Sequence, residues 1–153
     1  HELEHSLEVQ VPFLQHLGEG IRIVPILLSI VAWEDALIYA ESIGPAIASA
    51  LEGKNAITVS STDFSHYVSK DTAERKDRKA LDAIGSLDYK AFLQVVSETD
   101  ISMCGAAPTA AVIAACAALG AKRAELLTYY TSGDIIGDTS QVVGYAAMKI
   151  VKE

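Results

Sequence analysis

Basic clusters, long apolar runs and paired cysteines are all scarce in this 153-residue chain, and each scarcity removes a class of function. Lysine and arginine together number 12 against 20 aspartates and glutamates, for a formal net charge of −8. A field of that sign repels phosphate backbones and anionic lipid surfaces. The stretch densest in cations, Lys70 to Lys79, is interleaved with Asp71, Glu74 and Asp77, so no nucleic-acid partner is expected. No apolar run reaches the ~18–20 residues of a bilayer-spanning helix. The longest, Ile23 to Ala32 and Ala106 to Leu119, are short or interrupted, and no membrane partner is expected either. Cys104 and Cys116, the two cysteines, make no disulfide framework. No secretory leader is visible, and a reducing cytoplasm is the expected compartment. Glycine-rich nucleotide loops, the Gly-x-Ser-x-Gly elbow and the local metal spacings Cys-x-x-Cys and His-Glu-x-x-His are missing as well.

What remains is the composition of a globular α/β domain. Half of the residues are hydrophobic and 21% are charged, enough to bury a core and too apolar for disorder. Ser6 followed by Leu7-Glu8-Val9 reads as a helix start with Ser6 as its cap. The apolar face would be Val9, Pro12, Phe13, Leu14 and Leu17, with Pro12 forcing a kink or a late start. Ile21 to Ser29 and Ala56 to Ser61 read as buried strands. Trp33 to Leu51 has helical spacing, with Gly44-Pro45 breaking or kinking it. Asp71 to Ile84 predicts an amphipathic helix with Ala80, Leu81 and Ile84 inward. Asp88 caps a helix over Tyr89 to Ser97, and an Ala-rich helix follows Cys104-Gly105 as far as Leu119. Two closing strands, Ala124 to Thr131 and Gln141 to Val151, flank a connecting loop over Ser132 to Ser140. The alternation predicts a layered α/β fold with a mostly parallel or mixed sheet.

Chemistry concentrates where the second strand ends, in Ser60-Ser61-Thr62-Asp63-Phe64-Ser65-His66. The carboxyl ends of strands are where open α/β sheets place ligand sites. Asp63 and His66 stand three residues apart, an arrangement in which a carboxylate can orient an imidazole for proton transfer. Alternatively, Asp63 simply caps a turn. Cys104 immediately precedes a helix, whose positive end favours a thiolate, while Cys116 lies in an alanine run as a small core residue. Glu4-His5-Ser6 opens the first helix, where the backbone amides could face an anion, or where His5 is merely solvated. His16 reads as an exposed helix residue and His1 is terminal. Ser60, Ser61 and Ser65 beside His66 leave a serine hydrolase as a third, weaker option.

Several of these stretches occur together and in order: Glu4-His5-Ser6-Leu7-Glu8, Val24-Pro25-Ile26-Leu27, Ser60 to His66, Met103-Cys104-Gly105, Tyr130-Thr131-Ser132-Gly133-Asp134 and Val143-Gly144-Tyr145-Ala146-Ala147. In this the chain resembles the carboxyl-terminal half of Memo-family proteins, also called AmmeMemoRadiSam system protein B, over nearly all of residues 1–153. That family is similar in fold to the catalytic subunits of class III extradiol dioxygenases, non-haem iron enzymes. The resemblance implies a three-layer α/β/α sandwich, incomplete as a domain here, with a metal pocket at one edge of the sheet. It implies Cys104 as a metal ligand, His66 as an acid–base group with Asp63 beside it, and Glu4, His5 and Ser6 near the pocket. The family's Pro-His-Ala-Gly and Ser-His-His segments, which supply two further histidine ligands, are absent from this sequence. The chain opens on His1-Glu2-Leu3-Glu4-His5 without an initiator methionine, which reads as the middle of a longer polypeptide.

The expected function is thus that of a Memo-like, metal-binding, dioxygenase-like protein acting on an unknown small molecule by redox or carbon–carbon bond chemistry. Iron or copper is the expected metal of the full-length protein, not tightly bound by these residues alone; a thiolate ligand shifts preference toward softer ions. The alternative is a non-catalytic module that binds a peptide or partner through a vestigial metal pocket. The family name further implies association with an AMMECR-type protein and a radical S-adenosylmethionine enzyme.

Overall fold

The computed structural model describes residues 5–28 and 33–152. A 3-10 turn over Glu8–Gln10 leads into α1 (Val11–Leu17), and α2 (Trp33–Leu51), β1 (His66–Val68), α3 (Lys70–Gly85), α4 (Tyr89–Glu98) and α5 (Ala106–Ala118) follow. The chain closes with β2 (Arg123–Thr131), the short α6 (Ser132–Ile136) and β3 (Val142–Val151). The fold is mixed α/β. Its sheet, among the described residues, has three strands in the order β1-β3-β2, and both pairings are antiparallel. The parallel or mixed order expected from the sequence is thus replaced by a hairpin with one short added strand.

Helices α3, α4 and α5 form where expected, α3 with its expected apolar face inward. On α3, Ala73, Asp77, Ala80, Leu81 and Ile84 are buried, at the three- and four-residue steps of one helix face. Asp88 caps α4 by accepting from the amides of Lys90 and Ala91 at 2.9 and 3.1 Å. α5 is mostly alanine, which lets α2 come very close. A Cβ on Gly44 of α2 would lie 2.6 Å from the Ala114 Cβ of α5, so this helix pair requires glycine there. Pro45 does not break α2, which runs continuously from Trp33 to Leu51. The core gathers Phe64, Leu81, Ile84, Phe92, Leu93, Ile101, Met103 and Ile113, with Leu126, Met148 and Ile150 of the hairpin packed against it.

Two expected strands are corrected. Residues 21–28 and 56–61 are extended, but neither joins the sheet, and Ile21, Ile23, Val24, Ile26, Leu27, Ile57 and Val59 are exposed. A strand exists only where a neighbour completes its hydrogen-bond ladder, and no partner strand for either segment lies among the described residues. The rest of the apolar run, 29–32, lies outside those residues. The amino-terminal helix is corrected too. Leu7, not Ser6, caps the 3-10 turn without a side-chain bond, and the α-helix proper starts late, with Pro12 in its first turn. Most of its expected core face stays in solvent, with Val9, Phe13 and Leu17 at 53, 71 and 76% exposure and Leu14 half-buried. No helix among the described residues is long and apolar enough to cross a membrane.

Candidate functional site

The Ser60–His66 loop is held on three sides. Beneath it, Phe64 donates its amide to the Gly144 carbonyl and Gly144 donates back to the Ser65 carbonyl, both at 2.9 Å, which fixes the loop to β3. Along one flank lies the stretch before α5, running in the opposite direction. The Gly105 amide donates to Thr62 Oγ1 at 2.8 Å, and the amide of His66 donates to Ser102 Oγ at 2.7 Å. Gly105 must lack a side chain for this, because a Cβ there would sit 2.4 Å from Thr62. On the other flank, Ser61 Oγ donates to the Ser6 carbonyl at 2.6 Å and accepts from Gln10 Nε2 at 2.9 Å. The three sequence stretches singled out for chemistry are therefore neighbours.

Within this frame His66 is half-buried, with its Nδ1 2.7 Å from the Ser102 carbonyl oxygen. A carbonyl can only accept, so Nδ1 carries the proton and, in the neutral ring, Nε2 keeps its lone pair. Asp63 Oδ2 lies 3.6 Å from Nε2, on the more open side. Cys104 is exposed, with its sulfur 3.7 Å from Thr62 Oγ1, one residue from Asp63. The phenol of Tyr145 is pushed up by burial first and by the charge of Asp63 second, so β3 contributes a tyrosine to the same neighbourhood. Tyr130 packs on Tyr145 from the adjacent strand, ring centres 5.4 Å apart.

Other predicted residues fall elsewhere. His5 is exposed and pairs with Glu8 at 3.1 Å, and Ser6 enters through its backbone. Glu4 and His1 lie outside the described residues. His16 is exposed, as its pattern indicated, and Cys116 is half-buried, its thiol pushed up by burial. The serine hydroxyls near His66 are engaged away from its ring: Ser60 with Thr109, Ser61 with Ser6, and Ser65 with Asp77. Among the described residues, none of these three serines is presented to the imidazole as a nucleophile. An apolar groove of about 470 Å³ runs between residues 56–60, α5 and β3, with Ser60, Thr62 and Thr109 among its lining residues.

Sequence reasoning missed three residues of this frame. Asp77, read only as one of the acids interleaved with the cations of Lys70 to Lys79, is wholly buried. Its signal was present: it falls on the helical face shared by Ala73, Ala80 and Ile84, where a charge is out of place. Ser102 and Gly144 carried no such mark, since one acts through its carbonyl and a small hydroxyl and the other through lacking a Cβ. Among the described residues no group of three or more His, Cys, Asp or Glu side chains converges closely enough to hold a metal ion. The Cys104 thiol lies beside the Thr62 hydroxyl. These residues do not by themselves fit iron or copper.

Compared with known proteins, residues 1–149 match the family model described as Memo-like protein. A MEMO1 family protein of Methanopyrus kandleri is 48% identical over 151 residues, covering 97% of this chain and 52% of the relative. One from Methanothermobacter thermautotrophicus is 45% identical over 148 residues, covering 95% and 52%. Another, from Nitrosopumilus maritimus, is 40% identical over 152 residues, covering 99% and 54%. The chain thus spans about half the length of the curated relatives it matches. With a family match over residues 1–149 and this identity along nearly its whole length, the chain belongs to the Memo-like protein family.

Proposed function

We propose that these residues form the proton-transfer side of a small-molecule site in a Memo-like protein, with His66 as the acid–base group, Asp63 as its charge partner and Cys104 as an adjacent thiol. The observation that supports this most is the His66 ring, whose Nδ1 is committed to the Ser102 carbonyl at 2.7 Å while Nε2 stays beside Asp63. Neutral His66 takes a proton at Nε2, and the imidazolium so formed faces the Asp63 carboxylate. The same proton returns to the reacting molecule from the same atom. Redox or carbon–carbon bond chemistry of a dioxygenase-like kind remains the family-level expectation. A metal held by Cys104 would need its other ligands from outside the described residues, and no step is derived through one.

The reading is tested on the full-length protein by measuring product formation from a small-molecule panel. His66→Gln is expected to lower turnover about 10²–10⁴-fold, and Asp63→Asn to lower it less. Turnover untouched by His66→Gln, with binding of a peptide partner weakened instead, favours the non-catalytic module. Iron and copper content is measured on the same preparations; stoichiometric metal that survives Cys104→Ala removes the thiol from the metal reading.

A further inference from the structure

The part of the molecule that the acid–base reading leaves unexplained is a carboxyl group inside the core. Asp77 is fully buried on α3, and among the described residues it takes part in no salt bridge. Taking a carboxylate out of water is costly unless its oxygens are hydrogen-bonded. Here they are. Oδ1 accepts from the Ser65 amide at 3.1 Å and from the Ser65 hydroxyl at 2.6 Å, and Oδ2 accepts from the Tyr129 hydroxyl at 2.8 Å. Gly144 leaves the room for this carboxyl: a Cβ at that position would come 2.0 Å from Asp77 Oδ2.

The contact falls on one particular residue of the loop. Phe64 and Ser65 are the two residues between Asp63 and His66, and both are buried. They are bonded to Gly144 on the β3 side, and Ser65 is bonded to Asp77 on the α3 side. Whatever fixes this dipeptide fixes the separation and direction of the side chains that emerge before and after it. An apolar residue at position 77 could fill the space but could not hold the Ser65 amide and hydroxyl. We infer that Asp77 is a positioning residue for the Asp63–His66 pair, acting through Ser65 from inside the core to keep the His66 ring on the Ser102 carbonyl. The inference rests on the acid–base reading of His66.

The test is nitrogen-15 NMR of the histidine side chains in the intact chain, with His66 assigned by the signals lost in His66→Gln. The parent is expected to show His66 in a single neutral tautomer protonated at Nδ1. Asp77→Ala is expected to lose that preference and give a mixture. Asp77→Asn is expected to retain it, because an amide oxygen can still accept both Ser65 donors while its NH₂ donates to the Tyr129 oxygen. Ser65→Ala, which keeps the amide bond and loses the hydroxyl one, is expected to give a partial loss. Tyr129→Phe removes a bond to Asp77 without touching the loop and is expected to lower the melting temperature while leaving the tautomer alone.

A folded Asp77→Ala protein with an unchanged His66 tautomer overturns the inference. So does Tyr129→Phe mixing the tautomers as fully as Ser65→Ala, since that would be general loosening. If Asp77→Ala does not fold, Ser65→Ala decides: a single tautomer there overturns the inference and a mixture supports it. A parent in which His66 shows no single tautomer fails differently, because it removes the acid–base reading itself.

Discussion

Phe13 and Phe92 both lie on helices whose apolar residues repeat at helical spacing, yet one is 71% exposed and the other is wholly buried. The difference lies in what surrounds each helix. α4 packs against α3, α5 and α2, and its apolar side chains join the main core. The segment over residues 5–28 buries none of its side chains fully and is tied to the Ser60–His66 loop by hydrogen bonds to Ser61. Periodicity therefore specifies a face without specifying what covers it. The polar contacts at Ser61 show that the sequence can encode a local docking point even where the apolar residues beside it stay in water.

The same substitution in the two regions measures this contrast most directly. Phe92→Ala is expected to cost about 3–5 kcal/mol, as for other fully buried aromatics, with Phe13→Ala within about 0.5 kcal/mol of zero. Urea unfolding of the two variants checks it, and equal losses would mean that Phe13 is covered in solution. Glycine gives a second matched pair. Gly144→Ala drives a methyl to 2.0 Å from Asp77 Oδ2, and is expected to cost about 1–3 kcal/mol through overpacking. Gly18→Ala meets open space in an extended backbone and is expected to be nearly neutral in the same measurement.

How far the sequence was readable follows the same division. Helices α3 to α5 and the two closing strands were legible because their periodicity, the Asp88 cap and the flanking glycines all agree with one local structure. The antiparallel pairing of those strands and the unbroken run of α2 through Gly44-Pro45 were not. Residues 21–28 and 56–61 have strand composition, but strand formation is a property of pairs, and one segment's sequence does not say whether its partner is present. The site was legible in its outer members. Asp63 and Cys104 are reactive residue types on loops and His66 opens the short β1, and the structure brings the stretches carrying them side by side. Its support was less so: Ser102 acts through its backbone oxygen and an ordinary hydroxyl, Gly144 through an absent Cβ, and Asp77 looked like one more charge on a charged helix. Its position on the buried face was the one readable clue.

A smaller effect separates the helix caps. The Asp88 carboxylate satisfies two amides at the start of α4, whereas the Gln10 side chain at the start of α1 bonds to Ser61 and leaves the helix end uncapped. Asp88→Ala is expected to cost about 1 kcal/mol in urea unfolding. Gln10→Ala is expected to leave helix content by circular dichroism unchanged. A loss of helicity in the Gln10 variant would show that the Ser61 contact, with no capping bond at all, sustains α1.

The finest comparison is between two carboxylates of the packed region whose ionisation pulls stability in opposite directions. Asp134 is held down to about 2 by its hydrogen bond to Lys70 first and by Thr131 second. The folded chain therefore releases this proton before the unfolded chain does. Its contribution is complete above the ordinary Asp value of 3.8 and is lost as pH falls through about 2. For Asp77 burial dominates and raises the carboxyl above 3.8, against the lowering effect of its hydrogen bonds from Ser65 and Tyr129 and of the His66 charge. In the window just above 3.8 the unfolded chain has lost this proton and the folded chain keeps it, so stability falls as pH rises until Asp77 ionises within the fold. Asp77→Asn removes that slope. The parent-minus-variant difference in unfolding free energy should decline with rising pH across the window and then level off. Asp134→Asn should give the opposite trend, a difference that grows from about pH 2 upward and levels off near 4. Urea midpoints for the three proteins, taken from about pH 2 to about pH 7, read both signs. An Asp77 difference that rises with pH would mean that its hydrogen bonds outweigh its burial.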